Sequence, residues 1–287
     1  MTTHQLRMRN PIDRATRLSG VVSAAVAVLL VLPFVAGCDD EDPVLVDAPP
    51  FPPDGVFSIT GDEVVTIYWN PNEESDLARY EIWRGNDQPE GPYFHLADVS
   101  PNFTSYDDTD VNNGDFWFYA VLAVDAAGNY SELSRDTVFD TPRPEGFNLV
   151  LVELGLDASR AGYDFSSLLN SAQEASSNST DIYFEWVGGV NYVVAADPLV
   201  DIQDYGLIEL IAVDYAPEVG WAPSKRAEAI TGHSYIVRIV DGQGNFNMAK
   251  FEVKDVTTTN LRVDWAYQEV PNELELSRIA PIGGAMR

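Results

Sequence analysis

The chain has 287 residues, with 45 Asp plus Glu against 17 Lys plus Arg and a formal net charge of −28. Such a charge repels nucleic acid and anionic lipid headgroups, which excludes polyanions as default partners. The length allows two domains of ordinary size beside a targeting segment, and the single cysteine, Cys38, allows no internal disulfide.

The N-terminus carries Arg7, Arg9, Arg14 and Arg17, then an apolar run over 20–36 that ends in Val35-Ala36-Gly37-Cys38. Asp39-Asp40-Glu41-Asp42 follows at once. A basic leader, a short apolar core and small residues before the break predict an export signal. As a membrane span the run sits near the lower limit of about 17–25 residues, and Pro33 would interrupt its helix. The small-residue pattern ending in Cys resembles a bacterial lipobox. That resemblance implies that residues 1–37 are a lipoprotein signal peptide and that Cys38 is lipidated, which tethers the protein to a membrane. The expected location is the bacterial cell envelope, at the outer membrane or cell surface. Removing residues 1–37 takes away four Arg and Asp13, leaving 13 basic against 44 acidic residues, about −31.

Residues 38–54 are acidic and then Pro-rich, with Pro49-Pro50-Phe51-Pro52-Pro53. Such composition predicts a semi-rigid, extended tether. Beyond it, short alternating apolar runs separated by Gly, Pro, Asn and Asp predict an all-β chain. Thr141-Pro142-Arg143-Pro144 divides two β-rich regions, so the expected domains are 55–142 and 143–287.

In the first region Val65, Ile67 and Trp69 alternate with polar neighbours, as do Tyr80 and Ile82. Trp117, Tyr119, Val121 and Ala123 share one strand face, leaving Phe118 and Leu122 on the other. The acidic stretch 107–115 fails as an EF-hand loop: counted from Asp108, the sixth and twelfth positions are Asn113 and Tyr119. Pro52-Pro53, Trp69, Tyr80-Glu-Ile-Trp-Arg84, and Tyr119-Ala-Val-Leu-Ala-Val-Asp125 with the following Gly128-Asn129-Tyr130-Ser131 resemble a fibronectin type III domain. The resemblance implies a β-sandwich that serves as a spacer or interaction module. It also places Trp117 where such sandwiches usually hold a corner tyrosine.

In the second region, Asp181–Val187 and Val190–Ala195 flank Gly188-Gly189, a hairpin signal. Leu207–Val213 forms another strand-like run, and strands near 233–240, 249–253 and 261–267 form a meander. Tyr163-Asp-Phe-Ser166, Asp181-Ile-Tyr-Phe184, Gly232-His-Ser-Tyr-Ile-Val-Arg238, Met248-Ala-Lys-Phe-Glu-Val253 and Val263-Asp-Trp-Ala-Tyr-Gln268 resemble the HmuY-like haem-binding lipoproteins. That resemblance implies a β-rich fold holding haem between loops. The residues of usual haem-ligand type here are His233 and Met248, with Tyr192, Tyr205 and Tyr215 as phenolate candidates. The competing readings are a hydrogen-bonded histidine at a strand start and a gap-filling core methionine.

The loop 216–226 places Trp221 beside Lys225 and Arg226, the one adjacent basic pair after residue 37. A flat aromatic and two cations suit a flat, carboxylate-bearing ligand such as haem. A Trp folded back over the sandwich end is the alternative. No nucleophile elbow accompanies the histidines, and no His or carboxylate set has metal-ligand spacing, so no catalytic or metal residues are assigned. The expected protein is a non-enzymatic envelope lipoprotein. It has a type III stalk and a distal β-domain that captures a ligand, with haem as the cofactor the resemblance implies. The alternatives are an adhesion or scaffold lipoprotein that binds protein or polysaccharide without a cofactor and, as an enzyme class, a glycosidase acting through paired carboxylates.

Overall fold

The computed structural model describes residues 47–278 apart from 87 and 137, so the signal peptide and Cys38 lie outside the described residues. The chain is all-β: sixteen strands and three short 3-10 turns, with no α-helix among the described residues.

The first seven strands form two antiparallel sheets. One orders β1 (Phe57–Gly61), β2 (Val64–Tyr68) and β5 (Ser105–Asp108). The other orders β4 (Phe94–Val99), β3 (Leu77–Gly85), β6 (Trp117–Asp125) and β7 (Val138–Asp140). Alternation puts Val65, Ile67, Tyr80, Ile82, Tyr119, Val121 and Ala123 in one core, where Trp69 meets Tyr80 edge-on at 5.2 Å. This is a fibronectin type III-like sandwich. The hydroxyl tie is made by Tyr119, fully buried, which donates to Asp108 Oδ2 at 2.9 Å. Trp117, two residues earlier, instead lies under the Arg84 guanidinium at 4.3 Å.

The remaining strands are β8 (Glu145–Val152), β9 (Gly162–Tyr163), β10 (Ile182–Val187), β11 (Val190–Ala195), β12 (Val200–Leu207), β13 (Arg226–Glu228), β14 (His233–Val240), β15 (Phe246–Val256) and β16 (Asn260–Gln268). They form a four-stranded sheet, β13-β11-β10-β9, and a five-stranded sheet, β12-β14-β15-β16-β8. Six of these strands repeat the first sandwich in chain order and pairing. β10, β11 and β13 pair as β1, β2 and β5 do, and β12, β14 and β15 pair as β3, β6 and β7 do. No strand corresponds to β4; segment 208–225 runs there instead. β8, β9 and β16 are additions.

The likeness extends to side chains. Both hairpins turn through Asp-x-x-Gly-Asn, at 125–129 and 241–245. In each, the Asn backbone N–H and side-chain amide both donate to the Asp carboxylate. The glycine adopts a left-handed φ in both, +88° at Gly128 and +91° at Gly244, which an L side chain would resist. Val124 opposes Tyr130, as Val240 opposes Phe246. Tyr235 occupies the position of Tyr119 and donates to Glu228 O at 2.6 Å while accepting from Ile230 N.

The second sandwich has two apolar layers. Between its sheets lie Tyr163, Phe165, Phe184, Phe251 and Trp265, among others. On the outer face of the five-stranded sheet, Ile236 and Met248 pack against Val213, Ala216 and Leu276. Lys250, buried on that face, spends its ammonium on Leu210 O, Val213 O and Ser277 Oγ, tying down both covering segments.

The connection between the sandwiches is not the loose break that its prolines predict. Pro142, Arg143 and Pro144 are buried. Arg143 N donates to Gly61 O, Gly114 N to Pro142 O, and Tyr267 N to Pro144 O. The C-terminal segment adds Arg278, whose N–H donates to Thr60 Oγ1 and whose guanidinium covers the Phe139 ring. The end of the expected tether is also part of the folded body: Pro50 and Pro53 are buried against the first sandwich.

Candidate functional site

His233 begins β14 on the face of Tyr235, and its Nδ1 lies 3.0 Å from Asp204 Oδ1. Met248 is 1 % exposed and in register with Arg238, on the opposite face of the same sheet. The pairing register therefore keeps His233 and Met248 apart, and the two cannot ligate one iron from opposite sides of a haem. Met248 fills apolar space beneath the covering segments, the ordinary use of a flexible side chain.

The Trp221 loop holds together without a ligand. Lys225 sits in the left-handed region, φ +56°, which is uncommon outside glycine. Its ammonium donates to Pro198 O, Val200 O and Asp201 Oδ1. Arg238 pairs with the other oxygen of Asp201 and lies 4.8 Å over the Trp221 ring. The Trp221 indole donates to Glu218 O. Those bonds, on both sides of Asp201, help to hold down the coil, which Ala222 N also ties to Ile202 O of β12. The Asp201 carboxylate is kept below its usual range: burial raises its pKa, but bonds from Lys225 and Arg238 outweigh it. Arg226 points elsewhere, over Tyr192 at 4.5 Å, with Glu185 3.7 Å away. The adjacent basic pair is thus split, and Lys225 has a structural task. Of the phenolate candidates, Tyr192 lies beneath Arg226, Tyr215 bonds Glu275, and Tyr205 is on the surface.

In the first sandwich the acidic stretch 107–115 serves its own fold. Asp108 takes Arg84, Tyr119 and Asp110 N; Asp107 takes Thr66; Asp115 takes Asn112. Two carboxylate-rich triplets are close enough to hold an ion, Glu81-His95-Asp98 and Asp47-Asp76-Asp125. In the former, Arg79 already pairs with Glu81 and lies 3.6 Å from Asp98; in the latter, Asn129 bonds both oxygens of Asp125.

Two clefts open on this sandwich. One of about 270 Å³ lies between Arg84, Phe94, His95 and Trp117. A larger one, about 780 Å³, lies between the Phe51 segment and the connection from β2 to β3. Sequence reasoning missed the larger cleft because it assigned Phe51 to a spacer. The available signal was an aromatic inside a proline run.

No family model matches the chain. It is 37% identical over 79 residues to an amylopullulanase of Thermoanaerobacter thermohydrosulfuricus, covering 27% of this chain and 5% of that protein. It is 35% identical over 96 residues to an amylopullulanase of Thermoanaerobacterium saccharolyticum, covering 33% of this chain and 7% of that protein. The chain thus spans a small fraction of the length of these curated relatives. Among solved structures, an Fn3-like protein from Clostridium thermocellum matches at 24% identity and a TM-score of 0.28, over 32% of this chain and 92% of its own.

Proposed function

We propose that the protein is a non-catalytic adhesion or scaffold module of the bacterial cell envelope that binds polysaccharide without a cofactor. The observation that supports this partner class is the local sequence likeness to two amylopullulanases, whose name denotes enzymes acting on glucan. The placement of His233 and Met248 on opposite sheet faces, with the internal engagement of Trp221 and Lys225, favours this reading over haem capture. Lipidation at Cys38 would hold the body at the membrane, with the acidic segment after it as the spacer. Loss of palmitate labelling in Cys38→Ser, against a labelled wild type, tests the anchor; an unlabelled wild type counts against it.

The partner class is tested by sedimenting residues 39–287 with insoluble starch, cellulose and cross-linked pectate. The described residues from 47 onward belong to one compact unit, Val46–Arg287, so this soluble form keeps the body whole. Depletion by at least one polysaccharide, reversed by its soluble form, is expected. A chain that stays in the supernatant with all three overturns the reading.

A further inference from the structure

The larger cleft is built before any ligand arrives. Phe51 N donates to Glu74 Oε1 at 2.7 Å, and Asn72 Nδ2 donates to Phe51 O at 2.8 Å. Asn70 N and its side-chain amide both donate to Asp54, at 2.9 Å each. The two walls are therefore clamped at both ends, which reduces the ordering cost of binding. The turn into β1 is fixed as well. Gly55 holds φ +61°, and a Cβ there would collide with the Asn70 side chain.

Within this rigid frame Phe51 is 78 % exposed. A large aromatic on a backbone-bonded segment, turned to water, contributes little to folding and offers a flat face to a ligand. Pro52 and Pro71 add two more apolar rings. Around them stand the carboxylates of Asp54, Glu73 and Glu74, and no basic side chain is among the described lining residues. The surface thus offers flat apolar faces ringed by hydrogen-bond acceptors. A sugar ring is the complement: apolar C–H faces with hydroxyl donors around its edge. A uronate would bring its own carboxylate to three others, and like charges at such range repel.

We infer that this cleft is a subsite for a neutral oligosaccharide, with Phe51 as the stacking platform and Glu73 and Glu74 as hydroxyl acceptors. This rests on the polysaccharide-binding reading above and adds to it a place and a charge class. The volume, about 780 Å³, suits a short oligosaccharide and lies within the usual range for ligand clefts.

The test titrates residues 39–287 with maltohexaose, cellohexaose, tetragalacturonate and tetralysine, by calorimetry and by amide chemical shifts. A neutral hexasaccharide should saturate and shift the amides of residues 51–54 and 70–74. Phe51→Ala should weaken it roughly tenfold or more, the size of one lost stacking contact. Glu73→Gln, at an exposed side chain, should weaken it less, and neither variant should move the unfolding temperature. If the chain sediments with a polysaccharide but Phe51→Ala binds as wild type does, the cleft is the wrong place and the broader reading survives. If tetragalacturonate or tetralysine binds best, the neutral class is overturned. If nothing binds in either assay, the broader reading fails and takes the subsite with it.

Discussion

The two sandwiches share six strands in one pairing plan, yet they fasten their central tyrosine differently. Tyr119 donates to a carboxylate, Asp108, which also takes the Arg84 guanidinium. Tyr235 donates to a backbone carbonyl and accepts a backbone N–H, with no charge involved. The first arrangement needs a buried ion pair at the corner, and the second needs the strand before it to bend back. A second contrast follows the missing strand. Where the first sandwich has β4, the second has coil held by Lys225, Arg238 and Asp201. One plan can therefore be completed either by a strand ladder or by coil fastened through backbone and side-chain bonds.

The joint between the sandwiches gives the largest expected effect. Arg143 is 1 % exposed and lies among Asp140, Glu145 and Glu275. Burial raises the pKa of each of these carboxyls and lowers that of Arg143. Arg143→Met keeps the volume but removes the countercharge. It should cost about 3–5 kcal/mol in chemical denaturation, the usual penalty for leaving buried carboxylates without a countercharge. It should also separate the unfolding of the two sandwiches, read as two transitions by tryptophan fluorescence. A single unshifted transition would show that the joint does not depend on this charge.

Next in size is a contrast of sign between two buried carboxylates. Asp108 has Arg84 as a partner; Asp181 makes no ion pair among the described residues, and its Oδ2 accepts from Phe165 N at 2.8 Å. Burial raises Asp181 to about 7 from its usual 3.8. The folded state therefore holds its proton more tightly than the unfolded one. The resulting stabilisation is full below about pH 4 and is lost as pH rises through 7. Asp181→Asn keeps an acceptor for Phe165 N–H. It should stabilise at pH 8 by on the order of 3 kcal/mol and gain nothing at pH 4. Asp108→Asn should destabilise at pH 8. Equal signs in the two variants at pH 8 would contradict the assignment.

Smaller effects sharpen the tyrosine contrast. Tyr235→Phe strips two backbone partners at once and should cost about 2–3 kcal/mol. Tyr119→Phe leaves Asp108 with Arg84 and should cost about 1–2 kcal/mol. Smallest of all, Asn129→Ala and Asn245→Ala remove the same turn bonds in the two hairpins. Their shifts in thermal midpoint should match within error, and a large disparity would mean that the two turns are not equivalent.

Much of the first sandwich was legible because its strands bury one face and Trp69 and Tyr80 mark the core. Which side chain ties the corner was not legible: Trp117 and Tyr119 share a face, and only the position of Asp108 decides that Tyr119 reaches it. In the second region the Asp-x-x-Gly-Asn turn stood in the sequence at 241–245, spaced from Tyr235 as its counterpart is from Tyr119. The kinship was hidden because β4 has no equivalent and three strands are added. The ligand candidates were illegible for a simpler reason. His233 and Met248 lie 15 residues apart across a hairpin, and which sheet face each takes depends on register. Lys225 and Arg226 read as one cationic patch, but φ +56° at Lys225 sends its neighbour elsewhere. The Trp221 loop, unusual in the sequence for its Trp among Pro and Gly, runs between β12 and β13, where the first sandwich has a strand.

The second sandwich repeats the first and holds His233 and Met248 on opposite faces of one sheet, where they cannot share a haem iron. A haemin titration of residues 39–287, wild type beside His233→Ala, tests it most directly. A broad absorbance at tens of micromolar haemin, the same in both proteins, is expected. A sharp low-spin Soret band at equimolar haemin, lost in His233→Ala, would contradict it.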